Sequence, residues 1–206
     1  MTLLSPAERE RRIREAQSAH LPGETNLSHD FASIPTPVGH ANGIRISTNI
    51  STQFRYTYRP RSMNVTPSDV VNALHQGGVK RWVLMGLHGY VGYLAQPRAT
   101  QDVDVLVALD ERETAVNAIL ERWPTLQVKS FPAVIRFIDV GEHVSTNAEG
   151  HVIDLMLPNN DCQFAILAEY SVIDEATGHR IPTLEAALAA KYSAFVSPYR
   201  DHAKRS

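Results

Sequence analysis

Asp102-Val103-Asp104 opens the most apolar segment of the chain, Asp102 to Leu109. Side chains alternate faces along a strand, so acids two residues apart point the same way, with backbones some 6–7 Å apart. Like charges so placed at the edge of a core repel each other and are costly to desolvate. A cation between them relieves both penalties. Mg²⁺ (or Mn²⁺) suits the position, because a hard ion takes carboxylate oxygens and keeps water and phosphate as its other ligands. A strand that starts at the surface with two solvated acids explains the tripeptide alone equally well.

The surrounding sequence favours the metal. Arg81 to Gly86 reads as a buried strand that runs into Gly86-Leu87-His88-Gly89, where glycines permit close approach of a ligand. The following Tyr90 to Leu94 segment offers a helix start for phosphate. Arg98-Ala99-Thr100 puts a guanidinium just before Asp102, to bind phosphate or to neutralise the acid. Asp154 lies in His151 to Leu157, a second apolar strand, where an acid is out of place unless paired or ligated. Three acids at the ends of two strands can hold two divalent ions about 3.5–4 Å apart, which aligns an attacking hydroxyl with a pyrophosphate leaving group. The pattern points to phosphoryl or nucleotidyl chemistry.

The elements that must position these residues intermingle along the chain. Thr66-Pro67-Ser68-Asp69 is a capping signature, and Val70, Val71 and Leu74 carry the helix to Gly77-Gly78. Asp110 is expected to cap a helix ending at Arg122. Strands are predicted at Ala133 to Val140 and His151 to Leu157, then a short helix from Phe164 to Glu169, a hairpin over Ser171 to Ile181, and a last helix after Pro182-Thr183. Trp82 and Trp123 sit in apolar patterns and read as core. The fold class is α/β (α+β), a small mixed β-sheet flanked by helices. Residues 1–62 differ in texture. Ser5-Pro6-Ala7-Glu8 starts a charged helix, Leu21 to Asn42 is loop-rich or partly disordered in composition, and Ile44 to Tyr58 alternates as one or two polar strands. Phe54 to Arg61 interleaves aromatics with arginines, a pattern suited to stacking on unpaired bases and equally to a solvated edge strand. The expected organisation is an extension over 1–62 and a domain over 63–206.

Composition excludes several classes. With 20 Lys+Arg against 22 Asp+Glu among 206 residues and a net charge of −2, the whole surface is no footprint for nucleic acid or anionic membrane. No apolar run approaches the roughly 20 residues that cross a bilayer, and the first residues lack a secretory core, so the reading is cytoplasmic with no membrane partner. The single cysteine, Cys162, reads as a free thiol near a helix start. The 9 histidines are scattered without metal-site spacing, His88 in the glycine turn being the one to watch. There is no Gly-x-Ser-x-Gly elbow and no Walker sequence.

The run Gly86-Leu87-His88-Gly89 followed by Pro97-Arg98-Ala99-Thr100-Gln101-Asp102-Val103-Asp104 resembles the nucleotidyltransferase superfamily (DNA polymerase β-like fold). Within it the likeness is to the small prokaryotic branch of AbiEii-type toxins and minimal nucleotidyltransferases. Leu184-Glu-Ala-Ala-Leu-Ala-Ala-Lys191, followed by Tyr199-Arg200-Asp201, looks like a further element of that branch. The resemblance covers about Met63 to Ser206. It implies a nucleotidyltransferase-like fold and transfer of an NMP from an NTP such as ATP to a hydroxyl or phosphate acceptor on RNA, protein or a small molecule, as a toxin–antitoxin component with an antitoxin-like partner. Asp102, Asp104 and Asp154 would be the catalytic metal ligands, and Gly86, Leu87, Arg98, Thr100 and Lys191 would bind the nucleotide. A catalytically silent nucleotide-binding or protein-interaction module on the same fold is the alternative.

Overall fold

The apolar run after Asp102 folds into an interior strand of a mixed sheet. The computed structural model describes residues 39–94, 98–142 and 150–196. Its helices are α1 (His40–Tyr58), α2 (Pro67–Gln76), the short α3 (Gly86–Tyr90), α4 (Arg112–Arg122), α5 (Asp161–Ala168) and α6 (Leu184–Val196). Its strands are β1 (Trp82–Leu84), β2 (Val103–Val107), β3 (Gln127–Ser130), β4 (Val134–Ile138), β5 (His151–Met156), β6 (Ser171–Ile173) and β7 (Arg180–Pro182). The main sheet has the order β1-β2-β5-β4-β3. In it β2 and β5 are parallel and the other neighbours antiparallel. β6 and β7 form a separate hairpin. Among the described residues no helix is long and apolar enough to cross a membrane. The helix predicted after Ser5 and the segment Tyr199-Arg200-Asp201 lie outside the described residues.

The alternation of β2 and β5 sorts their side chains between two helical layers. Val103, Val105, Val107, Ile153 and Leu155 pack with Val70 and Leu74 of α2 and with Ala115 and Ile119 of α4. Trp82 and Trp123 join the same core, as predicted. Leu106, with Val83 and Met85, is covered instead by Ile166 of α5 and Ala186 of α6. Burying each of these larger apolar side chains stabilises the fold by roughly 1.5–3 kcal/mol. Asp104 shares the second face with Leu106, and Asp154 shares it with Met156, because each pair is two residues apart. The acids therefore stand on the α5/α6 side of the sheet.

Several elements differ from the sequence reading. Ile44 to Tyr58 is helix rather than strand. His40, Gly43, Ile44 and Ser47 of α1 are buried at the three- and four-residue spacings of a helix face, with Arg55 two turns further on, and this period outweighs the alternation of Phe54, Tyr56 and Tyr58. Contact with the 3₁₀ turn Val91–Tyr93 is close, since a Cβ on Gly92 would meet the His40 Cα at 2.6 Å. Asp110 does not cap α4. It pairs with the Arg81 guanidinium, while a 3₁₀ turn over Leu109–Glu111 leads into the helix. The helix beyond β1 starts at Gly86, not Tyr90. β3 is exposed at all four positions, which is why no apolar period announces it.

α1 is tied to the rest at both ends. Near its start, His40 Nε2 lies 3.2 Å from His179 Nδ1, and His179 Nε2 lies 3.2 Å from the Ser68 hydroxyl. Further along, the Ser51 hydroxyl donates to the Thr100 carbonyl at 2.7 Å, and the buried Arg55 guanidinium donates to the carbonyls of Met63 and Gln101. The helix thus holds the two residues that precede Asp102. Charge-assisted bonds of this kind are stronger than neutral ones.

Two outcomes are expected. Arg55→Leu will lose about 1.5–3 kcal/mol of stability in urea unfolding, since each carbonyl it serves loses a charged donor. His179, held down to about 4 by burial against an ordinary 6.5, must stay neutral in the fold while the unfolded chain takes up a proton. Its contribution is intact above pH 6.5 and is lost as pH falls towards 4, so between pH 7 and 5 the wild type will lose roughly 2 kcal/mol that His179→Gln does not.

Candidate functional site

Parallel pairing of β2 with β5 places Asp104 in register with Asp154. Both side chains stand on one face of the sheet, two positions along from Asp102. The next strand adds Arg136, which is in register with Asp154 across β4 and β5, and its Nε lies 3.4 Å from Asp154 Oδ1.

A bulge brings in a residue that sequence spacing hides. On β4, Phe137 pairs with Ile153 and Ile138 with His151, so Val152 is an extra residue on β5. His151 and Asp154 are three apart and would face opposite ways in a regular strand; the bulge turns them to the same side. His151 Nε2 then lies 3.2 Å from Asp102 Oδ2, and the Thr100 hydroxyl donates to Asp102 Oδ1. One ligand atom each from Asp102, His151 and Asp154 lies within 4.8 Å of the others.

The three acids have diverged in proton affinity. Burial pushes Asp102 up, but the hydrogen bonds from His151 and Thr100 outweigh it and hold the carboxyl down to about 2. Asp104 is pushed up to about 7, first by burial and then by the charges of Asp102 and Asp154. Asp154 is raised by burial, against the pull of His151 and Arg136. Its Oδ1 is buried without a hydrogen-bond partner, the Arg136 contact being an ion pair without hydrogen-bond geometry. One permanently ionised acid, one half-protonated near pH 7 and one only partly compensated form a group that a cation would settle.

Asp104 faces a cleft of about 670 Å³ between the sheet, α3 and α6, lined also by Gly86, Tyr90, Met156, Cys162 and Lys191. Gly86 has to be glycine. Its φ is +54°, and a Cβ there would fall 1.8 Å from Asp104 Oδ2. Lys191 Nζ stands 4.3 Å from the Tyr90 ring centroid, a cation–π contact at the cleft wall.

The predicted residues thus separate. Asp102 and Asp154 converge with each other and with His151, whereas Asp104 lies beside them and opens to the cleft with Gly86 and Lys191. Thr100 sits on Asp102 rather than on the cleft. Leu87 is half-buried in α3 and does not line the cleft, and Arg98 is exposed. Arg98 does not neutralise Asp102, whose side-chain partners are Thr100 and His151; the guanidinium paired within the acid group belongs to Arg136. Sequence reading missed Arg136 and His151, because β4 carries no motif and the bulge has no sequence mark. His88 is buried and held down to about 4, chiefly by desolvation, which marks it as a neutral packed group.

No family model matches the sequence, and no curated protein matches it. Among solved structures, the chain is similar to an antigenic nucleotidyltransferase-like protein from Paracoccidioides brasiliensis, at 14% identity and a TM-score of 0.42 over 67% of each chain. It is also similar to terminal uridylyl transferase 4 from Trypanosoma brucei with bound GTP, at 14% identity and a TM-score of 0.31 over 66% of this chain and 42% of that one. Likenesses this distant leave the chemistry to be read from the site itself.

The carboxylates can be tested without any substrate. Asp104 has a folded value near 7 against an ordinary 3.8, so its ionisation opposes folding above that window. In metal-free protein Asp104→Asn will therefore raise the melting temperature relative to wild type at pH 8, and the gain will shrink as pH falls from 7 towards 4. A gain independent of pH would show that Asp104 is not the group under strain.

Proposed function

We propose that the chain is a metal-dependent nucleotidyltransferase of the superfamily its sequence resembles, moving an NMP from an NTP to a hydroxyl or phosphate acceptor on RNA, protein or a small molecule. The observation that carries this reading is the meeting of Asp102, His151 and Asp154, with ligand atoms within 4.8 Å of one another, beside Asp104 at the mouth of a cleft large enough for a nucleotide. Two carboxylates and an imidazole form a donor set that suits Mn²⁺ and, through the carboxylates, Mg²⁺. The buried, unbonded Asp154 Oδ1 is an acceptor such an ion would satisfy. Bound there, the metal would polarise phosphoryl oxygens and neutralise charge on the departing pyrophosphate.

The chain's own groups supply position and proton transfer in this scheme. Thr100 keeps Asp102 ionised and oriented, the task of a group that sits behind a metal ligand. Asp154, raised by burial, receives the proton of an acceptor hydroxyl. Lys191 meets the triphosphate across the cleft, and Gly86 lets it approach the backbone at the end of β1. The extension over 1–62 and the domain over 63–206 remain the proposed division, with α1 of the former buttressing Asp102. The finer assignment, a toxin-like component with an antitoxin-like partner, rests on the sequence resemblance alone. One observation favours a second reading, a nucleotide-binding module without turnover: Arg136 already pairs with Asp154.

The two readings separate in one experiment. The chain is incubated with each α-labelled NTP, Mg²⁺ or Mn²⁺, and total RNA or protein. The expected result is label transfer that falls at least about 100-fold in Asp102→Ala plus Asp104→Ala, together with a metal-dependent thermal shift in wild type only. A shift without transfer supports the silent module, and neither signal removes the metal centre.

A further inference from the structure

The exposed end of α1 is unusual for a helix terminus. Phe54, Tyr56 and Tyr58 are 37%, 84% and 70% exposed. Phe54 and Tyr58 lie one turn apart with ring centroids 5.0 Å from each other, and the Arg59 guanidinium stands 5.9 Å from the Phe54 centroid. Arg61 follows, exposed, in the next turn. Two rings packed on each other at a helix end leave aromatic faces in water without contributing to the core.

The segment itself carries charge of one sign; Asp139, which stands against it, accepts from the backbone N–H groups of Met63 and Gly141. Between Asp30 and Asp69 the chain has no Asp or Glu, while Arg45, Arg55, Arg59 and Arg61 all fall in this stretch. Arg55 is turned inward onto the carbonyls of Met63 and Gln101, and Arg45, Arg59 and Arg61 remain nearer the surface. In a protein of net charge −2 this is a local cationic strip with rings set in it. Ring faces beside guanidinium groups match the two parts of an unpaired polynucleotide, bases that stack and phosphates that attract cations. An acidic peptide would use the arginines and leave the rings without purpose. A duplex would hide its base faces from them.

We propose that the C-terminal half of α1 is a binding platform for single-stranded nucleic acid, with Phe54 and Tyr58 as stacking surfaces and Arg59 and Arg61 as phosphate contacts. Ser51 and Arg55 of the same helix hold Thr100 and Gln101, so a strand seated on the platform lies within a turn or two of the segment that leads to Asp102. The inference does not rest on the transfer reaction, and binding is expected without metal or NTP.

The full chain, in EDTA, is titrated into fluorescently labelled 12-nucleotide single-stranded RNA, single-stranded DNA of the same sequence, a duplex, and a polyglutamate peptide. Anisotropy is expected to show a single strand, of either sugar, bound more tightly than the duplex or the peptide. Phe54→Ala plus Tyr58→Ala will weaken it about tenfold or more. Tyr58→Leu, which keeps apolar area and removes the phenol ring, will weaken it as well, and its high exposure at this position keeps the fold intact. Arg59→Gln or Arg61→Gln will each lower the slope of log affinity against log salt by about one. Duplex or polyglutamate binding as tight as single-strand binding overturns the proposal. So does affinity within twofold of wild type for the double aromatic variant or for Tyr58→Leu at an unchanged melting temperature.

Discussion

Repulsion among carboxylates drawn to one face of two parallel strands is the constraint around which the rest of this structure is arranged. Two unit charges 4.8 Å apart, the outer limit for the ligand atoms of Asp102 and Asp154, repel by roughly 3 kcal/mol at an effective dielectric near 20. That is a large fraction of the 5–15 kcal/mol by which a domain of this size is stable. The fold meets the repulsion differently at each acid. Asp102 receives Thr100 and His151, Asp154 receives Arg136, and Asp104 is left half-protonated near pH 7. A divalent ion held by Asp102 and Asp154 would relieve the repulsion between them and lower the negative field at Asp104 beside them, which is the physical basis of the functional reading.

The surrounding elements are best understood by what they do for this group. The core formed by β2, β5, α2 and α4 is apolar at every alternate position, and that alternation is what leaves the intervening positions to Asp104 and Asp154. α5 and α6 cover the same face over Leu106 and withdraw over Asp104, so the cleft opens where the apolar residues stop. Gly86 carries no side chain because the Asp104 carboxylate occupies the space one would need. α1, which begins far from the acids in sequence, reaches them through Ser51 and Arg55 and so fixes the approach of the chain to Asp102. One helix therefore presents arginine inward as a clamp and aromatic rings outward, close to the same site.

How much of this was legible depended on the range of the interactions involved. β2, β5 and the shared face of Asp102, Asp104 and Asp154 follow from apolar composition and period-two geometry, which are local. The start of α2 at Thr66 follows from a capping box in which Thr66 and Asp69 satisfy each other's backbone groups. α1 misled, because its aromatics alternate by chance at the exposed end while its buried face is built partly from Ser47 and Arg55, residues that pattern reading takes for surface. Arg98 misled for a related reason. Closeness in sequence suggested a partner for Asp102, but the partners come from Thr100, two residues away, and from His151 on another strand.

The sequence by itself determined which residues bear negative charge inside apolar strands, and hence that something in this protein must compensate them; composition and alternation are properties of each strand alone. The tertiary structure decided what compensates them. Strand order put β5 beside β2 and β4 beside β5, register set Arg136 opposite Asp154 and Asp154 beside Asp104, and one extra residue at Val152 turned His151 towards Asp102. None of these is encoded in a short motif. They depend on pairings between segments some 20 to 50 residues apart, whose register is selected by burial of the whole apolar face.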